Sequence, residues 1–270
     1  MVATDKLFAG SIPETYDRFM VPLIFEFYAD DLAERLAKAN PQAILETAAG
    51  TGVLTRAIAA RARTDARIVA TDLNPPMVNY AAAKQSEDAR ITWRQADALA
   101  LPFEDRSFDA VACQFGAMFF PDKIQGYREA RRVLKPDGRF YFNVWDRISE
   151  NEFANVVTEA LAELFPDDPP RFMARTPHGY HDLEKIRAEL TSAGFAKFSI
   201  ETLDGVSEAP SPRDAAIGYC QGTPLRSEIE ARDPSRLEEA TQRATDLLAQ
   251  RFGRGPVKGR IRAHVVTAIP

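Results

Sequence analysis

Three acidic side chains recur at the ends of successive apolar runs. Glu46 closes Ile44-Leu45, Asp72 closes the run at 67–71, and Asp97 follows the run at 91–95. Behind Glu46 come Thr47, Ala48, Ala49, Gly50, Thr51 and Gly52, and then an apolar-periodic segment from Val53 that reads as a helix. Such a turn lets a ligand lie against backbone, facing the exposed N–H groups of a helix N-terminus. Glu46 suits an ammonium. Asp72 suits both hydroxyls of a ribose, since a carboxylate has lone pairs for two donors. Asp97 suits an exocyclic amine, with the Ala98 N–H donating to the neighbouring ring nitrogen. Gln114, at the end of a fourth run, falls at the same level. Each residue alone is equally a helix cap or turn former, and any tight strand-to-helix turn favours glycine. Their recurrence is what points to one ligand with an amino-acid head, a ribose and an adenine.

The elements that position these residues alternate. Strands are expected at 43–47, 67–71, 91–95, 107–115 and 139–145, and helices at 21–38, 53–63, 75–85 and 123–134. Pro75 suits a first helical turn, Asp122 an N-cap, and Lys135-Pro136-Asp137-Gly138 a turn. Alternation of this kind predicts a doubly wound, mostly parallel α/β sheet, with ligands beyond the carboxyl ends of its strands. Past Asp146 the pattern becomes helical. Two late strand candidates, 196–203 and 258–268, flank about 50 mostly helical residues and suggest an antiparallel hairpin that finishes the sheet.

With 270 residues, 45% hydrophobic and 27% charged, the chain is long enough for one large α/β domain. A net charge of −5 without a basic stripe argues against a nucleic-acid partner. Cys113 and Cys220 are far apart, with no metal-binding spacing, so no metal is expected and both read as reduced thiols of a cytoplasmic protein. The first residues lack the features of a signal peptide, and no apolar run is long enough to span a bilayer.

LETAAGTG (45–52), TDLNPPMV (71–78), QADALALPFEDRSFDAVACQFGAMFF (95–120) and REARRVLKPDGRF (128–140) together resemble the class I S-adenosylmethionine-dependent methyltransferases. The similarity is greatest to the small-molecule branch holding the ubiquinone/menaquinone-biosynthesis-type enzymes. It covers roughly residues 40–146. The resemblance implies a seven-stranded sheet with its last strand antiparallel. It also implies S-adenosylmethionine as cofactor and S-adenosylhomocysteine as product. By position, Glu46 corresponds to the residue holding the methionine amine. Thr47, Ala48, Gly50 and Gly52 correspond to the loop, Asp72 to the ribose acceptor, Leu73 and Met77 to adenine contacts, and Asp97 with Ala98 to the adenine edge. Gln114 sits where a backbone carbonyl meets the amine. One departure is Ala48, where the family has glycine; alanine predicts an ordinary backbone φ there.

A nicotinamide-dependent dehydrogenase is the nearest rival fold, but its loop wants G-x-G-x-x-G, and the first glycine is missing. Asn74-Pro75-Pro76-Met77 resembles the motif of amino-methylating nucleic-acid enzymes, yet it follows the second strand and lacks the aromatic, so it reads as a helix start. On the substrate side, His178 and Tyr180 in Pro177-His178-Gly179-Tyr180-His181-Asp182 are candidates for a general base on a flap. The alternative is a helix-start turn capped by Asp182 or His181. Phe115, Met118, Phe119 and Phe120 line either an apolar substrate pocket or the core. Tyr16 and Phe19 are candidates for a lid over the cofactor.

The expected organisation is a single domain over residues 1–270: a helical lid at 1–39, a cofactor core at 40–146, and substrate-side helices, flap and closing strands at 147–270. The expected activity is methyl transfer to an O, N or C nucleophile of a small, partly apolar molecule, by a monomer or homodimer. A non-catalytic cofactor-binding scaffold and a protein methyltransferase are the alternatives.

Overall fold

A computed structural model describes residues 12–270. The expectation of no leader, and the start of the 1–39 lid, therefore fall partly on residues outside those described. The chain divides into two compact units.

One unit comprises residues 27–144, 181–203 and 263–270 and carries most of the sheet. The strands are β1 (Ala43–Glu46), β2 (Arg67–Asp72), β3 (Ile91–Gln95), β4 (Phe108–Gln114), β5 (Leu134–Trp145), β6 (Lys197–Ala209) and β7 (Val257–Ile269), in the order β3-β2-β1-β4-β5-β7-β6. The first five pair in parallel, with Glu46 level with Ala70 and Ala112 and Gln114 level with Asn143. The sheet is mostly parallel with one antiparallel strand pair, as the sequence led us to expect. β1 lies between β2 and β4, where the strand order reverses, which in open α/β sheets is the ligand-binding crevice.

Both faces of β1 are covered, so all four of its residues are buried. Leu32 and Leu36 from the helix Glu26–Lys38, and Leu54 and Ile58 from the helix Val53–Arg61, pack with Ile44, Ile68 and Val265. Burying a leucine or isoleucine side chain stabilises by about 1.5–3 kcal/mol, so this layer fixes the strand register. Asp122 caps the helix Lys123–Val133 by accepting from the Gln125 N–H, and Asp182 caps Leu183–Ser192 through Glu184 and Lys185.

The expected turn at 135–138 is instead part of β5. The register jumps from Phe108 opposite Leu134 to Ala110 opposite Arg139, so Lys135-Pro136-Asp137-Gly138 bulges out of a strand that continues on either side. Proline supplies no ladder N–H and is tolerated in such a bulge. β6 also runs to Ala209, six residues beyond the expected end.

The other unit includes, among the described residues, 12–26, 145–180 and 204–262. Its first helix starts at Ile12, earlier than expected, and is π-helical over Tyr16–Phe25, with Glu26 donating back to the Val21 carbonyl. Pro22 inside that segment lacks an N–H, which removes one ordinary helical bond and accounts for the widened turns. The helices Glu152–Leu164, Pro212–Gln221, Leu225–Arg232 and Leu237–Phe252 supply its core, where Phe153 meets Phe252 edge-on at 4.9 Å.

Candidate cofactor and active site

The strand-to-helix loop after β1 is bound to its neighbours at nearly every step. Thr47 N–H donates to the Ala112 carbonyl and Ala49 N–H to the Thr71 carbonyl, both at 2.9 Å. The Gly50 N–H donates to Asp72 Oδ2 at 2.9 Å. Asp72 Oδ1 accepts from the Asn74 N–H at 2.8 Å. Asp72 thus holds the loop while its remaining lone pairs stay available to a ligand. Gly52, at φ +84°, opens the helix without a side-chain cap, and a side chain there would run into the Trp93 ring. Gly50, at φ +57°, faces open space.

Ala48 departs from the sequence expectation, with a φ of +54°.

 Its backbone was expected in the ordinary range, yet it sits in the left-handed helical region. That region costs an alanine roughly 1–2 kcal/mol. The Ala49–Thr71 and Gly50–Asp72 bonds on either side hold the turn in place regardless. Gly116 makes room for the extra methyl, since a side chain at 116 would collide with the Ala48 Cβ.

Glu46 is 1% exposed, and Asp72 is 7% exposed. Among the described residues neither faces a Lys or Arg within ion-pair distance. Thr55, in the first turn of the following helix, donates to Glu46 Oε2 at 2.5 Å. Burial pushes the Glu46 carboxyl up to about 8, against the Thr55 hydrogen bond and the Arg56 charge, which both favour the anion. Burial also raises Asp72, against the amides of Asn74 and Gly50. Two desolvated carboxyls flank a loop with open space at Gly50. A cation and a pair of hydroxyls would each satisfy what the protein leaves unsatisfied, so the residues present fit the expected cofactor.

The structure brings Glu46, Thr47, Ala48, Gly50, Gly52, Asp72 and Gln114 together at adjacent strand ends. Leu73 is exposed just beyond β2, and Met77 is buried in the helix Pro75–Lys84. Asp97 is exposed and accepts from the Leu99 N–H at 2.9 Å, with Ala98 beside it half-buried. Three residues were not singled out from sequence. Thr55 orients Glu46, and the Thr51 hydroxyl is buried in the loop with no partner among the described residues. Asn143 accepts from the Phe115 N–H at 2.9 Å, while its Nδ2 has no partner among the described residues. A lone amide inside the apolar run Phe140–Trp145 was the available signal for Asn143.

Phe115 meets Tyr28 edge-on at 5.4 Å, and Phe120 fills the space over Gly126, so both belong to the core. His264 bonds Thr202 at 2.9 Å, a structural role. In the other unit, Tyr16 stacks on Phe25 at 5.1 Å. There, His178 is buried beside Trp145, and its Nδ1 lies 2.8 Å from the Asp146 carbonyl. A carbonyl only accepts, so Nδ1 donates this bond. Tyr180 is buried two residues on. Among the described residues there is no group of three metal-ligating side chains, and no helix is long and apolar enough to cross a membrane.

Comparison with known proteins agrees with this geometry. A methyltransferase domain model matches residues 45–142. The demethylmenaquinone methyltransferase of Clavibacter sepedonicus is 32% identical over 162 residues, 57% of this chain and 65% of that protein. That of Deinococcus radiodurans is 42% identical over 108 residues, covering 40% of this chain and 44% of that protein. The chain therefore spans less than two thirds of the length of these two relatives. Among solved structures, the YcgJ protein of Bacillus subtilis superposes with a TM-score of 0.55 at 20% identity, covering 88% of this chain and 97% of that one. The [4+2]-cyclase SpnF superposes at 0.56 with 18% identity, covering 91% and 82%, so the likeness carries the fold alone. Sheet order and loop geometry agree with the methyltransferase domain model that matches residues 45–142, under half of the chain.

Proposed function

We propose that this chain transfers the methyl group of S-adenosylmethionine to a nucleophilic O, N or C of a small, partly apolar acceptor. The observation that carries the reading is the pair of buried carboxyls without cationic partners, Glu46 and Asp72, on either side of a loop that faces open space at Gly50. When bound, the cofactor supplies an electrophilic sulfonium methyl and is left as S-adenosylhomocysteine. Glu46, oriented by Thr55, holds the ammonium of the amino-acid head. Asp72 accepts the ribose hydroxyls, Asp97 and the Ala98 N–H take the adenine edge, and Leu73 and Met77 contact the ring. Most of the acceleration comes from holding acceptor and donor in near-attack geometry.

Where the acceptor is protonated at working pH, His178, anchored on Asp146 through Nδ1, takes the proton, and Tyr180 is its neighbour in that role. The names of the similar proteins from Clavibacter sepedonicus and Deinococcus radiodurans support an aromatic, quinone-like acceptor. The test is incubation with S-adenosylmethionine and a panel of quinols, phenols and amines, followed by mass spectrometry. One acceptor class should gain a methyl group with matching S-adenosylhomocysteine. Tight cofactor binding without any methylated product would instead indicate a scaffold. His178→Ala should cut turnover while leaving cofactor affinity alone; retention of turnover across the pH range would make the histidine structural.

A further inference from the structure

A second polar site lies at the other end of the same sheet. A cleft of about 560 Å3 is lined by Arg106, Arg128, Arg131 and Arg132, with Asp105 and Leu134 among its other walls. Arg106 stands just before β4 and Leu134 begins β5, so the cleft is at the amino ends of these strands. β4 has seven residues, which at about 3.3 Å each puts the cleft roughly 20 Å from Gln114 and the loop.

Arg132 is already engaged, with Glu129 and with Asp105, each at 2.8 Å. Arg106, Arg128 and Arg131 are exposed and, among the described residues, none faces a carboxylate within ion-pair distance. Arg128 reaches only the Ser192 carbonyl, at 3.4 Å. Several other arginines are paired, as Arg35 is with Asp31 and Glu201, Arg175 with Glu228, and Arg262 with Asp204. The chain has more acids than bases, 39 against 34, so three unneutralised guanidiniums on one concave surface run against its overall charge.

Basic residues in a last helical turn oppose the helix dipole, which accounts for Arg131 and Arg132 at the end of Lys123–Val133. It does not account for Arg106. Its N–H donates to the Arg132 carbonyl at 2.9 Å, and its φ is +55°, a conformation that glycine or asparagine adopts more readily. Gly194 borders the Arg131 guanidinium, which a side chain at 194 would crowd at 3.3 Å.

We propose that this cleft binds a phosphate-bearing anion of the diphosphate class through Arg106, Arg128 and Arg131. Guanidinium forks match phosphate oxygens bidentately, and several forks need more oxygens than one carboxylate offers. The volume falls within the range of small-ligand pockets and exceeds the needs of a single inorganic ion.

The test is titration of the full chain with inorganic pyrophosphate by calorimetry at low ionic strength. Wild type should bind saturably, and more weakly as salt is added. The double variant Arg128→Ala/Arg131→Ala should lose at least tenfold in affinity, with circular dichroism and S-adenosylmethionine binding unchanged. The charge-matched control Arg254→Ala/Lys258→Ala should bind like wild type. A parallel sedimentation arm with phosphatidylglycerol vesicles identifies the source. Retention that the double variant loses assigns the phosphate to a lipid headgroup, and no retention assigns it to a soluble ligand. Absence of saturable pyrophosphate binding, or equal weakening in the control, would overturn the proposal.

Discussion

Asp109, near the start of β4, and Glu46, at the end of β1, are carboxyl groups on paired strands of one sheet, but their surroundings differ. Asp109 Oδ2 accepts from the Gln42 and Ala43 N–H groups at 3.1 and 2.7 Å, and Oδ1 meets the Lys135 ammonium at 2.7 Å. Burial by itself would raise Asp109, yet Lys135 and these amides outweigh it and hold the carboxyl below its usual range. Glu46 is more deeply buried, has the Thr55 hydroxyl as partner and no cation within ion-pair distance, and is pushed up to about 8. At the amino end of β1, Asp109 has its charge and hydrogen bonds completed by the protein itself. The carboxyl end leaves a deficit that a ligand of the right charge removes, and the left-handed Ala48 and Phe115 lie at that same end.

The largest effect expected from this contrast is on folding. Asp109→Ala would strand two backbone N–H groups and Lys135, at a cost of about 2–3 kcal/mol in denaturant unfolding. Cofactor affinity should stay within about twofold of wild type, since Asp109 is at the opposite strand ends. At the carboxyl end the balance reverses. Asp72→Ala should weaken S-adenosylmethionine binding at least tenfold, about 1.4 kcal/mol, by calorimetry. Unchanged affinity would remove Asp72 from the ribose role.

The two groups also respond to pH with opposite sign. The folded-state pKa of Glu46 is raised, so its contribution to stability is fully present below its unfolded value of 4.5 and is lost as pH rises towards about 8. The folded-state pKa of Asp109 is lowered, so its contribution is present above its unfolded value of 3.8 and is lost as pH falls. Stability of Glu46→Gln relative to wild type should therefore increase between pH 5 and pH 8, while cofactor affinity drops. Equal pH dependence of the two proteins would mean that Glu46 is not held neutral by burial. The smallest effect is at Ala48. Ala48→Gly should relieve the left-handed φ and raise stability by less than about 1 kcal/mol, because glycine loses more chain entropy on folding.

Much of this contrast was legible in the sequence, and its limits are physical. Strand ends at Glu46, Asp72 and Gln114 could be read because apolar runs break there, and the capping roles of Asp122 and Asp182 followed from local chemistry. Lys135-Pro136-Asp137-Gly138 carries every turn signal, but a bulge uses the same residues as a turn, so strand continuity through it was invisible. The φ of Ala48 is imposed by bonds to Thr71 and Asp72, more than 20 residues away. Thr55 as the partner of Glu46 depends on how the helix folds back over the strand, which no pattern within the loop encodes. The π-helical start was hinted at by Pro22 alone.

The central claim is that Glu46 is an acid kept neutral by burial until a cation arrives. Binding of S-adenosylmethionine should then expel the Glu46 proton, because an adjacent ammonium favours the carboxylate. Calorimetry at pH 7, where an α-ammonium remains mostly charged, in two buffers of different ionisation enthalpy reads this directly. The account predicts release of roughly half a proton to one proton per site, absent in Glu46→Gln. Binding enthalpies identical in both buffers for the wild-type protein would contradict it.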